Sequence, residues 1–293
     1  MMEKLVLATR GSKLALAQAE QVKALIEDKG VKCEILIVKT KGDKDRNRPI
    51  QEIGGDGLFV REIEKALLDS RADIAVHSAK DLPYELAEGL SIGGIPKAAA
   101  CADCLISLKG DGNCLAENRA KKVIGTGSPR RICEYLAIDE NVEFKSLRGN
   151  IGTRLGKLDS GEYDSIILAR AALDRLNIDL SRYDVYEFTS EEMIPAACQG
   201  IIAIECRSDD EEVAKLLGEI SDFETRRRFD LERSVFCRLK ASCKLALGVH
   251  VKIEGDMLTL MALKDDRKVC IEGNFDDRQE LAEMALAMLT EEI

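Results

Sequence analysis

The chain has 293 residues, 45% apolar and 33% charged, a mixture that fills cores and excludes a mainly disordered chain. Its 43 basic and 53 acidic residues leave a net charge of −10, with aromatics at 4% and no Trp, which argues against a nucleic-acid coat protein and against base-stacking platforms. No apolar run approaches the roughly 18 residues of a membrane span, and Leu5-Val6-Leu7-Ala8 is too short for a secretory signal, so a soluble cytoplasmic protein is expected.

Leu5 to Ala8 predicts a strand. Thr9-Arg10-Gly11-Ser12 then opens a helix on which Ala15, Ala19, Val22 and Ile26 recur, with Ser12 as its cap and Gly30 as its stop. Cys33 to Val38 is the next strand. Residues 42–57 are polar and Gly-rich and read as a mobile loop, after which Phe59, Ile63, Ala66 and Leu67 restart a helix. Asp73 to Val76 is a short strand ending in His77-Ser78-Ala79-Lys80-Asp81. This alternation predicts a parallel α/β sheet.

A second unit of the same kind follows, with strands at 122–125, 142–147 and 165–169. Its helices open on Thr126-Gly127-Ser128-Pro129-Arg130-Arg131 and on Arg148-Gly149-Asn150-Ile151-Gly152-Thr153-Arg154. Ile201 to Ile204 has strand character and is expected to pair back into the first sheet. From about 220 the pattern becomes helix, hairpin (249–253 and 258–263), strand and a last helix from 277. The expected fold class is α/β: two periplasmic-binding-protein-like lobes around a cleft, plus a small α+β C-terminal domain. The expected domains are 1–99 with 197–218, then 100–196, then 219–293.

Ten cysteines fall in no framework spacing and read as reduced thiols. Cys101 and Cys104, followed by Cys114, have no histidine at a helpful spacing, so no metal is expected. Three basic constellations share one geometry: Arg10 with Ser12, Ser128 with Arg130 and Arg131, and Arg148 through Arg154 each stand just after a strand where a helix begins. Helix N-termini at the carboxyl ends of parallel strands bind anions, and arginine adds a fork suited to carboxylate. Together they point to a multiply charged anionic ligand. His77 reads as a packed histidine. Lys80 and Asp81 read either as an ion pair at a loop or as part of a site.

Several segments resemble one family. Ala8-Thr9-Arg10-Gly11-Ser12 with Leu14 to Gln18, Gly57-Leu58-Phe59, Asp73 through Pro83, Ser146 through Leu155, and Cys198 through Arg207 are similar to hydroxymethylbilane synthase, also called porphobilinogen deaminase. The resemblance runs in order from residue 5 to about 250. It implies a transferase of tetrapyrrole (haem-type) biosynthesis, condensing four porphobilinogens head to tail with release of ammonia and a linear hydroxymethylbilane. It also implies a dipyrromethane cofactor, bound as a thioether, on which the chain grows. Each porphobilinogen carries two carboxylates, which matches the anionic ligand suggested by the arginines.

By position the resemblance makes Asp81 the catalytic group. It places Ser78, Lys80, Thr126, Ser128, Arg130, Arg131, Ser146, Arg148, Arg154, Arg175 and Gly200 at cofactor or substrate, with Arg10, Ser12 and Gln18 at the incoming site. The register from Glu232-Arg233 through Leu239 to Gly248 selects Cys243 over Cys237 for attachment, although Lys244 stands where the family usually has proline. Asp56 and Phe59 fall in the loop expected to cover the cleft. Asp56, where lysine is frequent, reads either as the turn residue of Gly-Asp-Gly or as a residue facing the cleft. The expected partner is porphobilinogen alone, with no nucleic acid or membrane and a monomeric state. A different reading of two lobes around a cleft is a non-enzymatic cytoplasmic anion-binding module of the solute-receptor type.

Overall fold

The computed structural model describes residues 2–39, 60–110, 122–239 and 245–290. The loop residues Asp56 and Phe59 and the expected attachment residue Cys243 lie outside the described residues. The chain groups into two compact units, Met1–Ala99 with Ile201–Arg233, and Ala100–Gly200 with Ser234–Ile293.

In chain order the first unit begins with β1 (Lys4–Arg10), α1 (Lys13–Glu27), β2 (Lys32–Val38), α2 (Arg61–Leu68), β3 (Ile74–Ser78), a 3-10 turn (Ala79–Asp81) and β4 (Leu90–Gly94). The second contributes β5 (Asp103–Leu108), β6 (Lys122–Gly125), α3 (Pro129–Leu136), β7 (Val142–Lys145), α4 (Ile151–Asp159), β8 (Ser165–Ala169), α5 (Arg170–Arg175) and β9 (Tyr183–Glu187). The chain then returns to the first unit for β10 (Ile202–Arg207) and α6 (Glu211–Glu219). It ends with α7 (Phe223–Arg238), β11 (Leu247–Glu254), β12 (Met257–Lys264), β13 (Arg267–Asn274) and α8 (Arg278–Thr290).

The first sheet has the order β2-β1-β3-β10-β4, so residues 202–207 do pair back into it. β1 runs parallel to β2 and β3, whereas β10 is antiparallel to both of its neighbours. The second sheet, β7-β6-β8-β5-β9, repeats the arrangement: β6 is parallel to β7 and β8, and β5 is antiparallel to β8 and β9. The expectation of purely parallel sheets is therefore corrected to mixed ones. The odd strand in each is the first strand after the chain crosses from the other unit, so no right-handed strand–helix–strand crossover fixes its direction. A separate antiparallel sheet, β11-β12-β13, carries α8, whose Leu281, Ala282, Ala285, Leu286 and Leu289 are buried.

The cores follow from the strand alternation. Leu5 and Leu7 of β1 face one way, with Ile74 and Val76 of β3, and meet Ala19, Val22 and Ile26 of α1. Ala8 and Ala75 face the other way and meet Ile63, Ala66 and Leu67 of α2. β4 escaped the sequence reading because it is short and ends in two glycines. A Cβ on Gly93 would stand 2.8 Å from both Cys206 Sγ and Leu217 Cδ1, so glycine lets β4 approach β10 and α6 closely. No helix among the described residues is long and apolar enough to cross a membrane.

Candidate active site

In the first unit the candidate residues gather at the carboxyl ends of β1 and β3. Arg10 closes β1, and Ser12 caps α1, accepting a hydrogen bond from the Ala15 N–H at 3.2 Å. Gln18, one turn and a half into α1, is 3% exposed, and its side-chain amide donates to Ser78 Oγ at 2.9 Å. Two expected site residues are thus bonded to each other across α1 and β3. Beyond Ser78 the chain turns through Ala79–Asp81, held by an Ala79 N–H bond to Ile201 O at 3.0 Å. Lys80 and Asp81 stand exposed on that turn.

In the second unit the carboxyl ends of β6 and β7 lie side by side, Gly125 opposite Lys145. Thr126 and Ser128 follow β6; Ser146 and Arg148 follow β7. The Ser128 N–H donates to Thr126 Oγ1 at 3.2 Å, and Ser128 Oγ caps α3 by accepting from Arg131 N–H. A Cβ at Gly127 would lie 3.8 Å from Ser146 Oγ, which shows how near the two loops run. Gly149, at φ +108, turns the chain into α4, and its carbonyl accepts from Arg154 Nε at 2.8 Å. Asn150, unremarked in the sequence, is the α4 cap: its Oδ1 accepts from Thr153 N–H at 2.9 Å.

Arg130 and Arg131 lie deeper than their neighbours, at 4% and 8% exposure. Arg130 donates to Asp103 Oδ2 and to Ile194 O, both at 2.7 Å. Arg131 reaches Asp103 Oδ1 through Nη2 at 2.6 Å and Nε at 3.1 Å, and donates to Ile167 O at 2.8 Å. Gln199 Nε2 adds a fourth donor to the same carboxylate at 3.0 Å. Asp103, wholly buried at the head of β5, went unread because nothing local marks an acid that opens an apolar strand. Its partners are 27 and 28 positions away.

Two guanidiniums on one carboxylate leave positive charge over. Glu134 lies 3.8 Å from Arg130, but burial pushes its carboxyl pKa up, and Lys268 approaches it to 3.2 Å. Arg175 donates to the carbonyl of Gly200, a residue at φ +84, at 2.7 Å. Its Nε is buried without a hydrogen-bond partner among the described residues, and burial lowers the pKa of its guanidinium. An orphaned buried N–H, surplus cations and a row of hydroxyls suit a ligand rich in carboxylates. The end of the chain reaches the same place: Val249 N–H of β11 donates to Pro195 O, and a Cβ at Gly248 would come within 3.2 Å of Arg130 Cδ. Among the described residues no group of His, Cys, Asp or Glu side chains is placed to hold a metal ion.

Fold and donor set define a mixed α/β protein whose helix starts and arginines are arranged for a polyanionic ligand. The family described as porphobilinogen deaminase, dipyromethane cofactor binding domain, matches residues 5–215. The porphobilinogen deaminase of Maridesulfovibrio salexigens is 41% identical over 281 residues, which is 95% of this chain and 89% of that protein. That of Nitratidesulfovibrio vulgaris is 44% identical over 257 residues, 87% of this chain and 80% of that protein. Among solved structures, a Salmonella typhimurium periplasmic binding protein with high arginine specificity aligns at 12% identity and TM-score 0.43, over 81% of this chain and 98% of that one.

The chain belongs to the porphobilinogen deaminase family. Membership brings transferase chemistry of tetrapyrrole biosynthesis and a dipyrromethane cofactor, and it decides against the non-enzymatic binding module.

Proposed function

We propose that this chain condenses porphobilinogen on a dipyrromethane attached to Cys243, with the second unit's basic loops as the holder and Asp81 as the catalytic group. The observation that carries the reading is the assembly of Thr126, Ser128, Ser146, Arg148 and Arg154 at the adjoining ends of β6 and β7. Hydroxyls and guanidiniums there are donors matched to acetate and propionate groups. Arg130 and Arg131 supply buried positive potential from beneath, and Arg175 offers its unpartnered Nε–H. Cys243 is supported by the path of the chain, since Gly248, five residues on, lies against Arg130.

When bound, the dipyrromethane supplies the nucleophilic pyrrole carbon at which the chain extends. Arg10, Ser12 and Gln18 orient the incoming porphobilinogen through its carboxylates, with Ser78 and Lys80 beside them. Loss of ammonia leaves positive charge on the substrate's methylene-pyrrole system, and the Asp81 carboxylate stabilises that charge electrostatically. The same carboxylate takes the proton released as the new ring regains aromaticity.

The reading keeps the chain in three domains, 1–99 with 197–218, 100–196, and 219–293. The protein acts as a cytoplasmic monomer without nucleic-acid partners, in keeping with its net charge of −10. Peptide mapping of the purified protein tests the assignment: a two-pyrrole mass is expected on the peptide containing Cys243. An adduct on Cys237, or on no cysteine, overturns it.

A further inference from the structure

Beneath the strand that leads to Asp81 lies a buried group of ionisable residues that the mechanism above does not use. His77 of β3 is 6% exposed and Glu205 of β10 is fully buried, and His77 Nε2 stands 3.0 Å from Glu205 Oε2. The antiparallel register sets Ala203 opposite His77 and Ala75 opposite Glu205, so the two side chains meet diagonally on one face of the sheet. α2 covers that face, and its Glu64, 7% exposed, turns into the same layer.

Hydrogen-bond accounting in this layer is uneven. His77 serves one oxygen of Glu205, and the Ala87 N–H serves Glu64. The remaining Oε1 atoms of Glu64 and Glu205 are both buried without a hydrogen-bond partner among the described residues. Two ionised carboxylates in that position would each keep an unsatisfied oxygen and would repel one another. A proton on Glu64 removes one charge and turns an orphan acceptor into a hydroxyl.

We propose that His77, Glu205 and Glu64 form a buried positioning cluster that fixes the strand end leading to Asp81. The end of β3 is then held on both faces. His77 is tied to Glu205 beneath α2, Ser78 is tied to Gln18 of α1, and Ala79 N–H is tied to Ile201 O between them. A pinned strand end matters because a displacement of about 1 Å at a reacting group costs up to about a hundredfold in rate.

The other charged groups on this face do not replace the proton. β1 brings Arg10 at its end and Lys4 at its start, and Lys4 pairs with Glu34 of β2 at 2.7 Å. Arg207 of β10 pairs with Asp73 and Asp210 and donates to the Leu67 and Ala72 carbonyls. On α2 itself stand Arg61, Glu62 and Lys65; β4 offers no titratable side chain. Burial and the Glu205 charge both raise the Glu64 pKa, while the Ala87 N–H bond, His77 and Arg61 oppose them.

The inference rests on Asp81 being the catalytic group, and the experiment separates the two. Asp81→Asn with near-normal turnover would remove that reading and leave the stability test of the cluster intact. In that test Glu64→Gln, which copies the protonated acid, is compared with wild-type holoenzyme by thermal unfolding across pH. A raised folded-state pKa costs wild-type stability as pH climbs above the unfolded value. Glu64→Gln should therefore be the more stable form near about pH 8 and lose that advantage near about pH 4. In turnover, Glu205→Gln should lower kcat by about ten- to a hundredfold with little change in KM. His77→Gln, which keeps an N–H donor, should retain more kcat than His77→Ala. The cluster is refuted if Glu64→Gln is the less stable form at the alkaline end, or if both His77 variants turn over alike. Should Glu205→Gln fail to fold, those two comparisons still decide.

Discussion

Asp103 shows what a single buried charge can organise. It accepts from two arginines and a glutamine amide while wholly buried, so its loss leaves two largely buried cations without their shared carboxylate. Asp103→Asn should cost about 3–5 kcal/mol in urea unfolding, the usual range for breaking one side of a buried ion pair. Asp81→Asn should behave in the opposite way. The residue is exposed on a turn, so folding and cofactor attachment should be normal while turnover falls about 10²–10³-fold. A variant that purifies without cofactor would instead make Asp81 a holder of the dipyrromethane. The thiols divide as sharply: burial pushes Cys33 to about 11 and Cys104 to about 12. Neither should react with a thiol reagent in native protein at neutral pH, and both should react after denaturation. The arginine pair was legible as charge at a helix start, but its partner was not, since ion pairing across 27 positions is a property of the fold.

At the scale of elements, capping was readable and pairing less so. Ser12 and Ser128 were expected as caps and both cap; Ser128-Pro129 starts α3 as a hydroxyl followed by a fixed φ should. β4, β5 and β9 were not read, for different reasons. β4 is half-buried and glycine-ended, β9 is half-buried and carries Asp184 and Glu187, and β5 contains one of two cysteines that draw attention to metal spacing. The caps supply a paired test. Asn150→Ala should lower stability by about 1 kcal/mol and leave KM alone, because its carboxamide caps the α4 start. Ser12→Ala should lose a similar amount, about 1 kcal/mol, and also raise KM if it contacts porphobilinogen. Equal KM effects in both variants would make Ser12 a cap and nothing more.

For the whole molecule, alternation of strands and helices revealed two α/β halves and a different ending, because periodicity survives without knowledge of neighbours. It did not reveal the direction of β5 and β10, which depends on where the chain has just come from. Net charge gives a test at this scale. The protein is acidic overall, yet its proposed ligand contacts are basic, so attraction of porphobilinogen is local and screenable. Raising ionic strength from about 0.05 to about 0.5 M should raise KM while leaving kcat nearly constant. A KM independent of salt would mean that buried hydrogen bonds, rather than exposed charge, select the substrate.

The return of β10 to the first sheet also sets an order of assembly on the ribosome. Among the described residues β4 has β10 as its only sheet partner, so residues 90–94 can hydrogen-bond into the sheet only after residue 207 has been made. Every described strand of the second sheet lies between residues 103 and 187 and can pair while the first sheet still waits for its fourth strand. Synthesis runs from the N-terminus, but in this protein the N-terminal sheet is the later of the two to close.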